Sequence, residues 1–146
     1  MNNEDDLTSE GLWKRCDAKR AVARSMVDDR EFCREAWVAS GAGVEFALKA
    51  LICARQKFNV WPSREHRPDL HTHDLRRLFR AAGIDLDAAP KEVRPLIRQV
   101  LDWERNHDYS GARMPRSVAR DMVEAAFGAG GVVEWLRRLH ESRDGP

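Results

Sequence analysis

The chain has 146 residues, 42% of them hydrophobic and 34% charged, enough for one domain with its own core and solvated outer faces. A formal net charge of +1 supplies no global field toward nucleic acid or membrane, so any electrostatic preference has to be local. Three cysteines, Cys16, Cys33 and Cys53, show no CxxC spacing, which excludes a disulfide framework and a cysteine zinc site and fits reduced thiols.

The start, Met1-Asn2-Asn3-Glu4-Asp5-Asp6, is acidic and polar, unlike a signal peptide. The longest apolar stretch, 36–54, contains Glu45 and Lys49 and reads as a buried helix, not a membrane span. The expectation is a cytoplasmic protein forming one helical domain over 1–146, with short disordered tails at about 1–7 and 142–146.

Nowhere do apolar and polar residues alternate long enough for a sheet, so an all-α, up-and-down bundle of about five helices is expected. Thr8 or Ser9 can cap a first helix reaching about Asp28, with Asp28, Asp29 and Arg30 as an interruption or bend. A second helix covers about 31–58. In it Ala36, Ser40, Gly43, Ala47, Ala50 and Ala54 form a stripe of small side chains that admits a close neighbour. Glu45 and Lys49 form an i,i+4 pair on the same helix.

Trp61-Pro62 closes that element, and a polar segment runs to His71. A short third helix is expected from near Thr72, with Leu75, Leu78 and Phe79 inward and Gly83 as a left-handed stop. Asp87 and Pro90 open a fourth, with Val93, Leu96, Ile97, Val100 and Leu101 inward. Pro95 conflicts with its interior, so either the helix starts near Pro95 or 88–94 is a separate turn. After a loop over 105–116, Ser117 can cap a last helix to about Glu141. Gly128, Gly130 and Gly131 soften its middle, which close packing on the small stripe would explain, or a ligand or second subunit at the backbone.

The segment from Ala36 to Ile52, with Trp37, Gly43, Glu45, Ala47, Leu48, Lys49, Ala50 and Leu51, resembles the signature helix of bacterial HEPN (higher eukaryotes and prokaryotes nucleotide-binding) domains. Trp61-Pro62, the block His71-Thr72-His73-Asp74-Leu75-Arg76-Arg77-Leu78, and Leu101-Asp102-Trp103 followed by Tyr109-Ser110 are similar to further blocks of these proteins. The resemblance spans roughly 20–140. It implies a four- or five-helix bundle, commonly a homodimer, tied to RNA or nucleotides. Many members are ribonuclease toxins, often encoded beside a nucleotidyltransferase; others are non-catalytic binding or scaffold domains. The small stripe and 128–131 are where a partner subunit would approach.

The nuclease members carry an arginine, a polar residue and then a histidine after four to six intervening residues, in one branch R-N-x-x-x-H-x-Y. Arg105-Asn106-His107-Asp108-Tyr109 resembles that motif with three residues missing. Residues two apart on a helix diverge, so Arg105 and His107 converge on one phosphate only in a turn or across a dimer interface. As a metal-independent ribonuclease, His107 would take the proton of a ribose 2′-hydroxyl, and Arg105 would stabilise charge on the phosphorane. Arg113 or Arg116 would help Arg105 in that role, and Asn106 would orient the phosphate. As a binding site only, the loop needs just convergent arginines, Arg113, Arg116 and Arg120, with Asn106 and Tyr109. The resemblance adds a variant in which a partner nucleotidyltransferase modifies Tyr109.

No cofactor is expected. His66, Asp69, His71, His73 and Asp74 form a further cluster, but it lacks a spaced partner pair, and helix-end hydrogen bonding is the simpler use of these residues. Trp13, Trp37, Trp61, Trp103 and Trp135 are expected mostly in the core; Trp103, beside the loop, could also stack on a base.

Overall fold

A computed structural model describes residues 7–103 and 113–142. Among these residues there are six α-helices and no strand, the all-α bundle expected from the periodicity. The first helix, α1 (Ser9–Met26), starts where the Thr8 hydroxyl accepts the Gly11 N–H at 3.0 Å, the short polar cap that satisfies one free amide of the first turn. The main chain turns at 27–32, and α2 (Cys33–Arg55) runs back antiparallel. Ser9 Oγ donates to the Ala50 carbonyl at 2.9 Å, tying the start of α1 to the last turns of α2.

α2 is the axis of the bundle. It is long and apolar enough to cross a membrane, yet 72% of its most apolar 18-residue window is buried inside the protein. Its stripe Ala36, Ser40, Gly43, Ala47 and Ala50 is buried within the chain, with only Ala54 exposed. The stripe is therefore occupied by this chain's own helices and is not an open face for a second subunit. A Cβ at Gly43 would run into the Phe127 ring, so the absent side chain is what seats Phe127. Fully buried Ser40 returns its hydroxyl to the Ala36 carbonyl at 2.8 Å, so its own donor is satisfied. Leu48, Leu51 and Ile52 are completely enclosed and contribute about 1.5–3 kcal/mol each. α2 stops in a Schellman turn, with the Phe58 N–H on the Cys53 carbonyl and Lys57 in the left-handed region at φ +59°.

A short 3₁₀ turn (Pro68–Leu70) leads to α3 (Leu75–Ala81), which lies on α2. The helix opens at Leu75 and not near Thr72 because the Asp74 carboxylate takes the cap, accepting the Arg76 and Arg77 N–H groups. Gly83, at φ +78°, ends it as expected. Pro95 conflicts with nothing: residues 86–88 form a separate 3₁₀ turn, and α4 (Arg94–Asp102) begins so that the proline stands in its first turn, where a missing N–H costs little.

The last element differs from the single helix expected from about Ser117 to Glu141. It is two helices, α5 (Arg116–Phe127) and α6 (Val132–Glu141). Pro115 stands at the start of α5, so Ser117 lies inside the first turn and is not its cap. Gly130 at φ +75° turns the chain, and the Gly131 N–H bonds the Gly128 carbonyl at 2.8 Å. The glycines make a corner and do not pack on the stripe; Phe127, just before the corner, does. α5 and α6 together lie along α2, and α6 runs back along α1, joined by the Arg137–Asp17 ion pair at 2.8 Å.

Candidate functional site

The turn between α1 and α2, the start of α5 and the end of α4 meet at one end of the bundle. The buried Cys33 thiol donates to the Met114 carbonyl at 3.3 Å, and the Trp103 indole N–H donates to the Trp37 carbonyl at 3.0 Å. Cys33 and Trp37 are one turn apart on α2, about 6 Å along its axis at 1.5 Å per residue. Trp103, before segment 104–112, and Met114, after it, are therefore both held on the first turns of α2. Arg105, Asn106, His107 and Tyr109 all fall on that segment, outside the described residues.

The other three expected residues are placed. Arg113 is exposed ahead of α5, Arg116 is the first residue of α5, and Arg120 lies one turn further on the same face. Arg113 and Arg116 line a depression of about 330 Å³ together with Met114, Pro115 and Arg30. Arg30 comes from the α1–α2 turn and was missed from sequence, where Asp28, Asp29 and Arg30 read only as an interruption.

The charges there are incompletely matched. Arg120 pairs with the Asp28 carboxylate at 2.9 Å, while Arg116 donates to the Asp28 main-chain carbonyl at 3.3 Å, which leaves its charge uncancelled. The Asp29 carboxylate is occupied by the Glu31 and Phe32 N–H groups at 2.8 and 2.9 Å. Among the described residues, Arg30 and Arg113 make no ion pair. The first turn of α5 has no acidic side chain and no side-chain cap, so its free N–H groups and the helix dipole add to the positive field. Arginines at the positive end of a helix are unfavourable by a few tenths of a kcal/mol, roughly 0.3 each, unless an anion sits with them.

Trp103 is in part a packing residue. Its ring lies 5.5 Å from that of Trp37 and directly over Gly41, where any Cβ would overlap it. The other four tryptophans are buried.

The histidine-rich segment does something else. His71 Nε2 meets the Pro62 carbonyl at 2.8 Å, and His66 Nδ1 meets Ser63 Oγ at 2.7 Å. Arg67 grips Asp69 with two hydrogen bonds, 3.0 and 2.8 Å, which holds that carboxyl below its ordinary range. His73 Nδ1 contacts Glu45 at 2.9 Å, and Glu45 also pairs with Lys49 at 3.1 Å, both of its partners' contacts falling on a carboxylate only 13% exposed. Among the described residues no three histidines, cysteines or carboxylates are arranged around a common metal position.

No family model matches the chain, and neither do curated proteins or solved structures.

Proposed function

We propose that the chain binds RNA or a nucleotide by its phosphates at the end of the bundle where Arg30, Arg113 and Arg116 meet. The observation that carries this reading is the shared depression: three guanidinium groups from two separate segments line it, and none of them has a carboxylate partner among the described residues. Guanidinium forks fit phosphate oxygens bidentately, and the uncapped start of α5 adds backbone donors beside them. Arg120 strengthens the field one turn along, and Asn106 and Tyr109 follow on the adjoining segment.

The resemblance of the α2 signature and the His71–Leu78 block to HEPN domains supports the same reading. On it, the chain is a cytoplasmic HEPN-type homodimer, a toxin–antitoxin or defence component paired with a nucleotidyltransferase. The test is fluorescence anisotropy of a labelled single-stranded RNA with wild type and the Arg30→Gln/Arg113→Gln double variant. Binding that weakens at least about tenfold upholds it, since each lost charge-assisted contact removes about 1 kcal/mol or more. Unchanged binding sinks it.

A second reading is a metal-independent ribonuclease using Arg105 and His107; what supports it is that Trp103 and Met114, the described residues flanking that stretch of sequence, are both held on α2 near Arg30 and Arg113. Cleavage of RNA in EDTA that vanishes in His107→Ala establishes it. Equal cleavage by both proteins, or none, leaves the non-catalytic binding or scaffold module.

A further inference from the structure

A larger cleft lies at the other end of the molecule. It measures about 810 Å³ and lies between the first turns of α1, the last turn of α2 and the end of α6. Its distance from the arginine-lined end is roughly the length of α1, about 27 Å for 18 residues. That volume is typical of a site for a small molecule.

Trp13, Leu51 and Ala54 supply an apolar wall, and Arg55 and Lys57 supply positive charge. Of the other charged residues lining the cleft, the exposed Glu141 makes no ion pair among the described residues, and Arg137 and Glu10 each have a partner. Arg137 pairs with Asp17 at 2.8 Å and lies 4.5 Å over the Trp13 ring, while Glu10 faces Lys14 at 3.8 Å. Arg55 and Lys57 are different. Arg55 Nη1 caps the Ala82 carbonyl at 2.8 Å, but its Nη2 is buried with no hydrogen-bond partner, and neither residue meets a carboxylate among the described residues. The Trp13 indole N–H is likewise buried without a partner, in a residue 9% exposed. These two atoms are shielded from the cleft; what the cleft offers an outside acceptor is the positive charge of Arg55 and Lys57, which no carboxylate among the described residues cancels. A basic residue at the C-terminal end of α2 is favoured by the helix dipole. That accounts for a charge at position 55, but not for Lys57 beyond the helix at φ +59°.

We propose that this cleft binds a small amphipathic anion, an apolar body bearing one carboxylate or phosphate, with the head group on Arg55 and Lys57 and the body against Trp13, Leu51 and Ala54. The site is separate from the RNA or nucleotide reading and stands or falls without it.

The test is an NMR titration of the full chain with decanoate, decyl phosphate and decanol, following the Trp13 indole N–H and the Leu51 and Ala54 amides. Both anions are expected to move these signals, and the tighter of the two identifies the head group. Lys57→Gln should weaken the anions about tenfold and leave decanol unchanged, the loss expected for one charge-assisted contact. Ala54→Trp, at an exposed position, should block binding while the rest of the spectrum stays in place. Equal affinity for decanol, unaltered binding in Ala54→Trp, or shifts centred on Trp103 instead of Trp13 would overturn the proposal. So would movement of the Trp13 signal in an Asp5→Asn/Asp6→Asn variant with no ligand added, which would assign the cleft to the chain's own acidic start.

Discussion

The indole of Trp103 lies flat over Gly41, and no side chain larger than hydrogen fits beneath it. The contact fixes the end of α4 on α2. Gly41→Ala forces the ring away and breaks its bond to the Trp37 carbonyl. Overpacking of this kind costs about 1–3 kcal/mol. Denaturant unfolding should show that loss, and the Trp103 indole resonance should shift. If the arginine site depends on this anchor, RNA affinity falls in the same variant.

Two left-handed residues give opposite predictions. Gly130 stands at φ +75° between α5 and α6, and nothing surrounds its missing Cβ, so Gly130→Ala is penalised by backbone strain alone, about 1–2 kcal/mol. Lys57 holds φ +59° with a side chain, so Lys57→Gly relieves strain and, after the added freedom of the unfolded chain, should stabilise by about 0.5 kcal/mol. Thermal unfolding of the two variants checks both signs.

The Glu45–Lys49 pair is more than the surface pair its i,i+4 spacing suggests. The two side chains are 13% and 15% exposed, and Lys49 Nζ also lies 5.3 Å over the Trp61 ring. Glu45→Ala leaves a half-buried ammonium without its counter-charge, at a cost of about 3 kcal/mol. Replacing both together, as Glu45→Leu/Lys49→Met, should recover most of that loss. Glu10→Ala, which breaks the exposed Lys14 pair, should cost under about 1 kcal/mol. Denaturation midpoints of the four proteins decide the ranking.

How legible this molecule was in its sequence depended on the range of the signal. Thr8, Gly83 and Pro95 act locally, and each marks a helix boundary much as its chemistry dictates. The three glycines near 130 act locally too, yet between two helical stretches they read as the soft middle of one helix, which concealed the corner that Gly130 makes. The small stripe told that a close neighbour exists but not which; only the fold shows that Phe127 and α1 take the place. Arg30 was silent because its partners, Arg113 and Arg116, lie more than eighty residues away. The cleft at Trp13 was silent for the same reason, being built from the ends of three helices.

Burial pushes the Cys16 thiol up to about 12, with Asp17 adding to the effect, and pushes Cys53 up to about 11. Both folded values exceed the ordinary 9.0, so the folded state holds these protons more tightly than the unfolded one. The associated stability is fully present below pH 9.0 and is lost as pH rises through about 11 for Cys53 and 12 for Cys16. Native protein should therefore react slowly with a thiol reagent near pH 8, and unfolding midpoints should decline above about pH 9. A Cys53→Ala variant should decline less steeply over that range. Rapid labelling of all three thiols in native protein would contradict the buried placement.

The most direct test of the arginine site is the salt dependence of RNA binding. Anisotropy of a labelled single strand, measured between about 50 and 200 mM salt, yields the slope of log K against log salt, near 0.7 for each phosphate neutralised. Wild type should give a slope that the Arg30→Gln/Arg113→Gln variant reduces by about 1.4, with affinity falling together with it. An identical slope in the two proteins, or no binding by wild type at the lowest salt, would contradict a phosphate site between the α1–α2 turn and the start of α5.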